Sequence, residues 1–162
     1  MKPKMLDSID FARYILWRVK ALEQQHNAHY QIGPAKLNNI MYICEGILLA
    51  YGINIIKENA QAWDCGPIYP KVYKWFLEHH AVSASLPDCS DEIKKCLEKY
   101  KAIPLIDRGL TVLATQTDEE LTAWSRGKSS PWEQTLQKSR GTENSPIDKH
   151  VMARYFSRFG KR

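Results

Sequence analysis

The chain has 162 residues, 44% hydrophobic and 25% charged, which fits one globular domain able to bury roughly two-thirds of its unfolded surface. No apolar run reaches the ~20 residues of a membrane span, and the opening MKPKMLDSIDF has no apolar h-region, so a soluble, cytoplasmic protein without a membrane partner is expected. The net charge of +5 is uneven, at +2 over residues 1–52, −2 over 53–119 and +5 over 120–162, and such a basic end attracts nucleic acid or an acidic protein surface.

The spacing of Ile9, Ala12, Ile15/Leu16, Val19 and Leu22 predicts a helix over Ile9–Gln24, capped by Asp7 or Ser8. Gly33-Pro34 opens a second, with Leu37, Ile40, Met41, Cys44, Leu48 and Tyr51 on one face and Gly52 as its stop. Ile47 and Leu49 widen its apolar surface, so it is expected to be the central, most buried helix. INIIKE and AQAWD then predict two short strands joined near Glu58-Asn59. Pro70 starts a helix to about His80, with Val72, Phe76 and either Tyr73 or Leu77 inward, and AVSASLPDCS follows as a loop.

Ser90 caps a helix to about Lys99, whereas KAIPLID is expected to be irregular because Pro104 removes a donor. Leu110–Ala114 belong to a further helix, and Thr117-x-x-Glu120 is a capping box for one carrying Leu121 and Trp124. Ser130-Pro131-Trp132-Glu133 combines an N-cap, a first-turn Pro and a Glu reaching back. The last helix begins after Ser145-Pro146 or Asp148, turns Val151, Met152, Tyr155, Phe156 and Phe159 to one side, and ends at Gly160. The expected fold is mainly α, a compact single-domain bundle of six to eight helices with a small two-stranded β element.

Chemistry is sparse. Cys44, Cys65, Cys89 and Cys96 include no CxxC pair and the histidines continue into no zinc pattern, so reduced thiols, no metal and no cofactor are expected. Thr122–Ser129 approaches a phosphate-binding loop, but a helix precedes it where a buried strand is required, and Pro131 removes an N–H from the anion cradle. No nucleophile, base or paired-carboxylate motif is present, and no enzyme activity or catalytic residue is expected.

The stretch AWDCGPIYPKVYKW, Ala62–Trp75, is the most distinctive in the chain. Gly66-Pro67 changes direction and Tyr69-Pro70 holds the chain extended before a helix, forming a stiff strand-to-helix corner. Trp63, Tyr73 and Phe76 are expected to be core, while Tyr69 and Trp75 stay partly exposed as rigid anchors for a partner.

Lys36-Leu37-Asn38-Asn39-Ile40-Met41-Tyr42, Ala62-Trp63, Gly66-Pro67-Ile68-Tyr69-Pro70-Lys71-Val72-Tyr73, Ser130-Pro131-Trp132 and the closing Ile147–Phe156 together resemble the SocA-like Panacea domain over about residues 9–159. Asn39 stands where that family usually has a second Lys, and Trp124-Ser125-Arg126 where Leu-Thr-His is common. The resemblance implies an antitoxin that neutralises a cognate toxin by direct contact, with a Clp protease as a further partner in the adaptor type, and it is linked with phage and mobile elements. It implies no catalytic residues. Tyr69, Lys71, Tyr73 and Trp75 are the candidate partner-binding residues, and Lys36, Leu37, Tyr42, Trp63, Gly66, Pro67, Pro70, Pro131 and Trp132 form the motif frame. A nucleic-acid-binding regulator using the basic segment Arg126–Arg162 is the alternative.

Overall fold

Asp7 Oδ1 accepts the Ile9 N–H at 2.9 Å and caps the first helix, α1 (Ser8–His26), which closes at Asn27 in the left-handed region. Ala12, Ile15, Val19 and Leu22 form its buried stripe as the spacing predicts. Gly33 and Pro34 start α2 (Pro34–Ala50), in which Leu37, Ile40, Met41, Cys44 and Leu48 are all buried. Burial pushes the Cys44 thiol up to about 12, which leaves it an inert packing group. Tyr51 departs from the expected face: it sits at the C-cap and is exposed, because Gly52, at φ 79°, turns the chain away there.

The computed structural model describes residues 4–79, 88–140 and 144–160. Beyond α2 these contain β1 (Gln61–Trp63), β2 (Gly66–Ile68), α3 (Pro70–His79), α4 (Asp91–Lys99), α5 (Ile103–Leu113), α6 (Asp118–Ser125), α7 (Pro131–Lys138), β3 (Ser145–Pro146) and α8 (Lys149–Gly160). α2 is the hub, packed by α1, α3, α5, α6, α8 and β2 in one mainly helical domain. Among the described residues no helix is long and apolar enough to cross a membrane. The expected loop at 81–90 lies outside the described residues as far as residue 87, and 88–90 are irregular.

The β element differs from the expectation in place and size. Three strands, in the order β2-β1-β3, form an antiparallel sheet with Ala62 opposite both Pro67 and Ser145. INIIKE contributes no strand to it. Instead the Leu6 N–H donates to Ile55 O at 2.7 Å and the Lys57 N–H to Leu6 O at 2.9 Å, a single parallel bridge. Ile55 and Ile56 are both buried, so this run serves as a doubly covered core segment rather than an alternating strand. Gly66-Pro67 therefore lies in a strand, and the reversal falls at Asp64-Cys65. Pro67 is accommodated because β2 is an edge, where a missing donor costs no ladder bond.

Pro104 also behaves otherwise than expected. It sits in the first turn of α5, where its N–H would have no intrahelical acceptor, so it starts the helix instead of interrupting the chain. The Thr117/Glu120 capping box on α6 is complete in both directions. At α7, Ser130 Oγ accepts the Glu133 N–H at 3.2 Å, but Glu133 reaches one residue further back than a capping box, to the Ser129 N–H. Asp148 starts α8 by accepting the His150 N–H at 2.7 Å.

Candidate partner-binding surface

The corner is held from two sides, by α7 and by α2. The Trp132 indole N–H donates to Trp63 O at 2.7 Å, tying the N-terminal turn of α7 to the hairpin. The Tyr69 N–H donates to Asn38 Oδ1 at 2.8 Å, tying the strand exit to α2. Gly66, with φ of 132°, takes a backbone conformation that side-chain-bearing residues rarely adopt, and the Asn39 amide lies against it.

Tyr69 is not an exposed anchor. Its ring is fully buried and its hydroxyl donates to Glu45 Oε1 at 2.7 Å, because the extended segment before Pro70 aims this side chain at α2. Lys149 Nζ lies 3.4 Å from Glu45 Oε2 and also donates to Ile56 O and, at 3.2 Å, to Asn54 Oδ1. Burial raises the Glu45 carboxyl above its ordinary range, and the Lys149 charge and the Tyr69 hydrogen bond offset only part of that rise. Burial, then the Glu45 charge, pushes the Tyr69 phenol up as well.

Lys71 is exposed but engaged within the chain. Its ammonium binds Asp7 and, at 2.9 Å, Glu58 Oε1, while Glu58 Oε2 accepts the Ser8 N–H at 2.9 Å. The Asp7 hydrogen bond, then that of Glu58, raises the Lys71 ammonium well above its usual value. This triad clips the start of α3 to the start of α1.

Tyr73 and Trp75 flank α3 on opposite sides of the buried Val72. Tyr73 is half-buried against Trp63, ring centroids 5.5 Å apart, and its i+4 neighbour Leu77 is 48% exposed. Of the two alternatives for the inward position, Tyr73 is the more covered. Trp75 is half-buried between Arg13, 5.6 Å above its ring, and the stacked His79 imidazole, whose Nδ1 lies 2.9 Å from Trp75 O. The outer corner thus presents Trp63, Tyr73 and Leu77 as a small aromatic and aliphatic surface on a stiff base.

The remaining motif residues build the frame. Leu37, Tyr42, Pro131 and Trp132 are buried, and Pro70 opens α3. Lys36 is buried too; its ammonium donates to Ala114 O at 2.9 Å, holding the α5–α6 junction, and burial pulls its pKa down. Asn39 and Arg126, the two departures from the family pattern, make separate contacts. The Asn39 amide donates to Ala35 O at 3.1 Å and to Thr122 Oγ1 at 3.3 Å on α6, and Arg126 at the end of α6 lies 4.9 Å over the Trp132 ring.

Sequence reasoning missed a second surface. Phe159, expected inward, is 57% exposed, and Trp124 is 38% exposed beside it with centroids 6.0 Å apart. The helical spacing of α8 is correct for Met152 and Phe156, which are buried, whereas Val151 and Tyr155 are half-buried and the last turn is left uncovered by the described residues. The available signal was a concentration of rings, Tyr155, Phe156 and Phe159, within one turn and a half of a single helix.

A cleft of about 660 Å³ lies between the N-terminal arm, α1 and α4, where Asp7, Asp10 and Glu92 face Arg13, Lys95 and Lys99. Among the described residues, no three His, Cys, Asp or Glu side chains come together as a metal-binding group. Set against family models, curated proteins and solved structures, the chain matches none.

Proposed function

We propose that the chain is a cytoplasmic, antitoxin-like module that neutralises a cognate toxin by direct protein contact and carries out no catalysis itself. The toxin comes from the resemblance to the SocA-like Panacea domain, as does delivery to a Clp protease in the adaptor type. The observation that carries the reading is the outer corner: Trp63, Tyr73 and Leu77 are presented beside one another by a turn whose backbone is fastened to α2 and α7. Rings held in place before binding lose little entropy on contact, which is what a recognition surface needs. The buried ionisable groups support the same reading, since Lys36 and Glu45 spend their hydrogen bonds on the fold.

The test is co-expression with the product of the neighbouring reading frame. Growth should be lost with that product alone and restored by this chain. Tyr73→Ala and Leu77→Ala should each weaken the complex by ~1–3 kcal/mol with the fold intact. Full neutralisation by the double variant would remove the corner from the interface. The basic segment supports nucleic acid as the rival partner, although Lys149 is drawn inward by Glu45 and Arg126 lies on Trp132. Salt-dependent retention of DNA or RNA with no effect on a toxin would favour that rival.

A further inference from the structure

We propose that the interior holds a binding site for an ordered water molecule between Asn39 of α2, Ser125 of α6 and Gly66 of β2, where the bound water pins the hairpin to the helical core. The site is independent of the toxin reading and of any partner.

Buried polar atoms nearly always have a hydrogen-bond partner, so those left without one mark places where something else binds. Among the described residues, Asn39 Oδ1, Ser125 Oγ and the Tyr42 hydroxyl are enclosed and unpaired, and all three belong to the junction of α2, α6 and α7. The Asn39 amide reaches Thr122 Oγ1 on α6; Ser125 follows Thr122 by one turn, and Tyr42 follows Asn39 by one turn. Tyr42 is turned toward the Trp132 backbone N–H at the start of α7 without closing a hydrogen bond to it.

The direction of the Asn39 side chain is settled by what its nitrogen serves. Nδ2 donates to Ala35 O at 3.1 Å as well as to Thr122 Oγ1, and a carbonyl oxygen can only accept. Turning the amide over would set two acceptors against each other, so Oδ1 stays on the opposite side, toward Gly66. Gly66 is buried, yet a methyl group added to it would meet only Asn39 Oδ1 within 4 Å beyond its chain neighbours, at 3.7 Å. The interior therefore has room there for a group of about the size of water, with an unpaired acceptor on its wall. A room of that size lined by apolar groups stays dry, whereas one lined by polar groups fills.

The lining selects water over an ion. An amide oxygen and hydroxyls are neutral, and the acids at the start of α6, Asp118 and Glu120, act on the Lys36 ammonium instead. An ion would give up its hydration shell with no opposite charge to replace it. Water donates to Asn39 Oδ1 and bonds to Ser125 Oγ, which both gives and accepts. Bound there, it adds a link from β2 to α2 and α6 beside the direct bond from the Tyr69 N–H to Asn38 Oδ1.

The experiment joins two measurements on the full chain. A high-resolution crystal structure of the wild type should show a water peak at hydrogen-bond distance from both Asn39 Oδ1 and Ser125 Oγ. Magnetic relaxation dispersion of the water oxygen nucleus counts waters held inside a protein for longer than it tumbles. Asn39→Leu keeps the volume and removes the acceptor, and Gly66→Ala fills the room with its methyl. Each should lower the dispersion amplitude by the contribution of one water, with circular dichroism verifying the fold. A wild-type map with no peak at this place overturns the proposal, as does an Asn39 amide whose Oδ1 faces Thr122. An amplitude that both folded variants leave unchanged overturns it too. Anomalous density at the peak in rubidium-soaked crystals would assign the site to a monovalent cation instead.

Discussion

The Tyr69 hydroxyl donates a 2.7 Å hydrogen bond to Glu45 Oε1 in the interior of the protein, and this contact makes Tyr69 part of the core. Tyr69→Phe keeps the ring and deletes the donor, leaving a buried carboxylate oxygen short of a partner. Phe is slightly easier to bury than Tyr, but an unsatisfied buried acceptor costs more, so stability should fall by ~1–3 kcal/mol in urea denaturation. Wild-type stability in this variant would show that Glu45 does not depend on the bond.

Glu45 gives the protein a pH dependence of definite sign. Its carboxyl ordinarily titrates near 4.5 and is raised in the fold by burial. Above 4.5 and below the raised value, the native chain holds a proton that the unfolded chain has released. The group's contribution to stability is therefore greatest below about 4.5 and declines as pH rises, levelling off once the carboxyl ionises in the fold. Glu45→Gln should flatten the denaturation midpoint across that window. A variant whose slope matches wild type would assign the titration to other groups.

What was legible in the sequence is what is decided within a few residues. Ser130 on Glu133, Thr117 with Glu120, and Gly33-Pro34 are donor, acceptor and dihedral matters settled locally, and each helix starts where its signal lies. AQAWD does contain β1, but its partners were not foreseen, because pairing of Ala62 with Ser145 closes a long loop that no local pattern records. The direction of Tyr69 depends on Asn38 and Glu45 on another helix. The exposure of Phe159 was hidden for a different reason: periodicity tells which side of a helix is apolar, but not whether a neighbour extends far enough to cover it.

Gly66 separates backbone strain from crowding. A Cβ there would lie 3.7 Å from Asn39 Oδ1, an ordinary contact, so space is available. The φ of 132° is the obstacle. Gly66→Ala should lower stability by ~1–3 kcal/mol, through strain or through loss of the hairpin register. Thermal denaturation checks this, and a melting temperature equal to wild type would mean that the turn relaxes freely.

Gly46 presents the opposite case, with a relaxed helical backbone and no room. α8 crosses α2 so closely that a Cβ on Gly46 would fall within the Phe156 ring. That ring cannot swing aside easily, because Tyr42 and Trp124 each pack 5.5 Å from it. Two effects compete in Gly46→Ala: a gain of about 1 kcal/mol in helix propensity against an overpacking cost of ~1–3 kcal/mol or more. The rigid surroundings of Phe156 place the cost at the upper end, so the variant should be destabilised. The cycle with Phe156→Ala isolates the cause, since in that background the ring is gone and Gly46→Ala should become neutral or stabilising by up to about 1 kcal/mol. An equal penalty in both backgrounds would mean that the crossing of α2 and α8 is set by something other than this glycine and this ring.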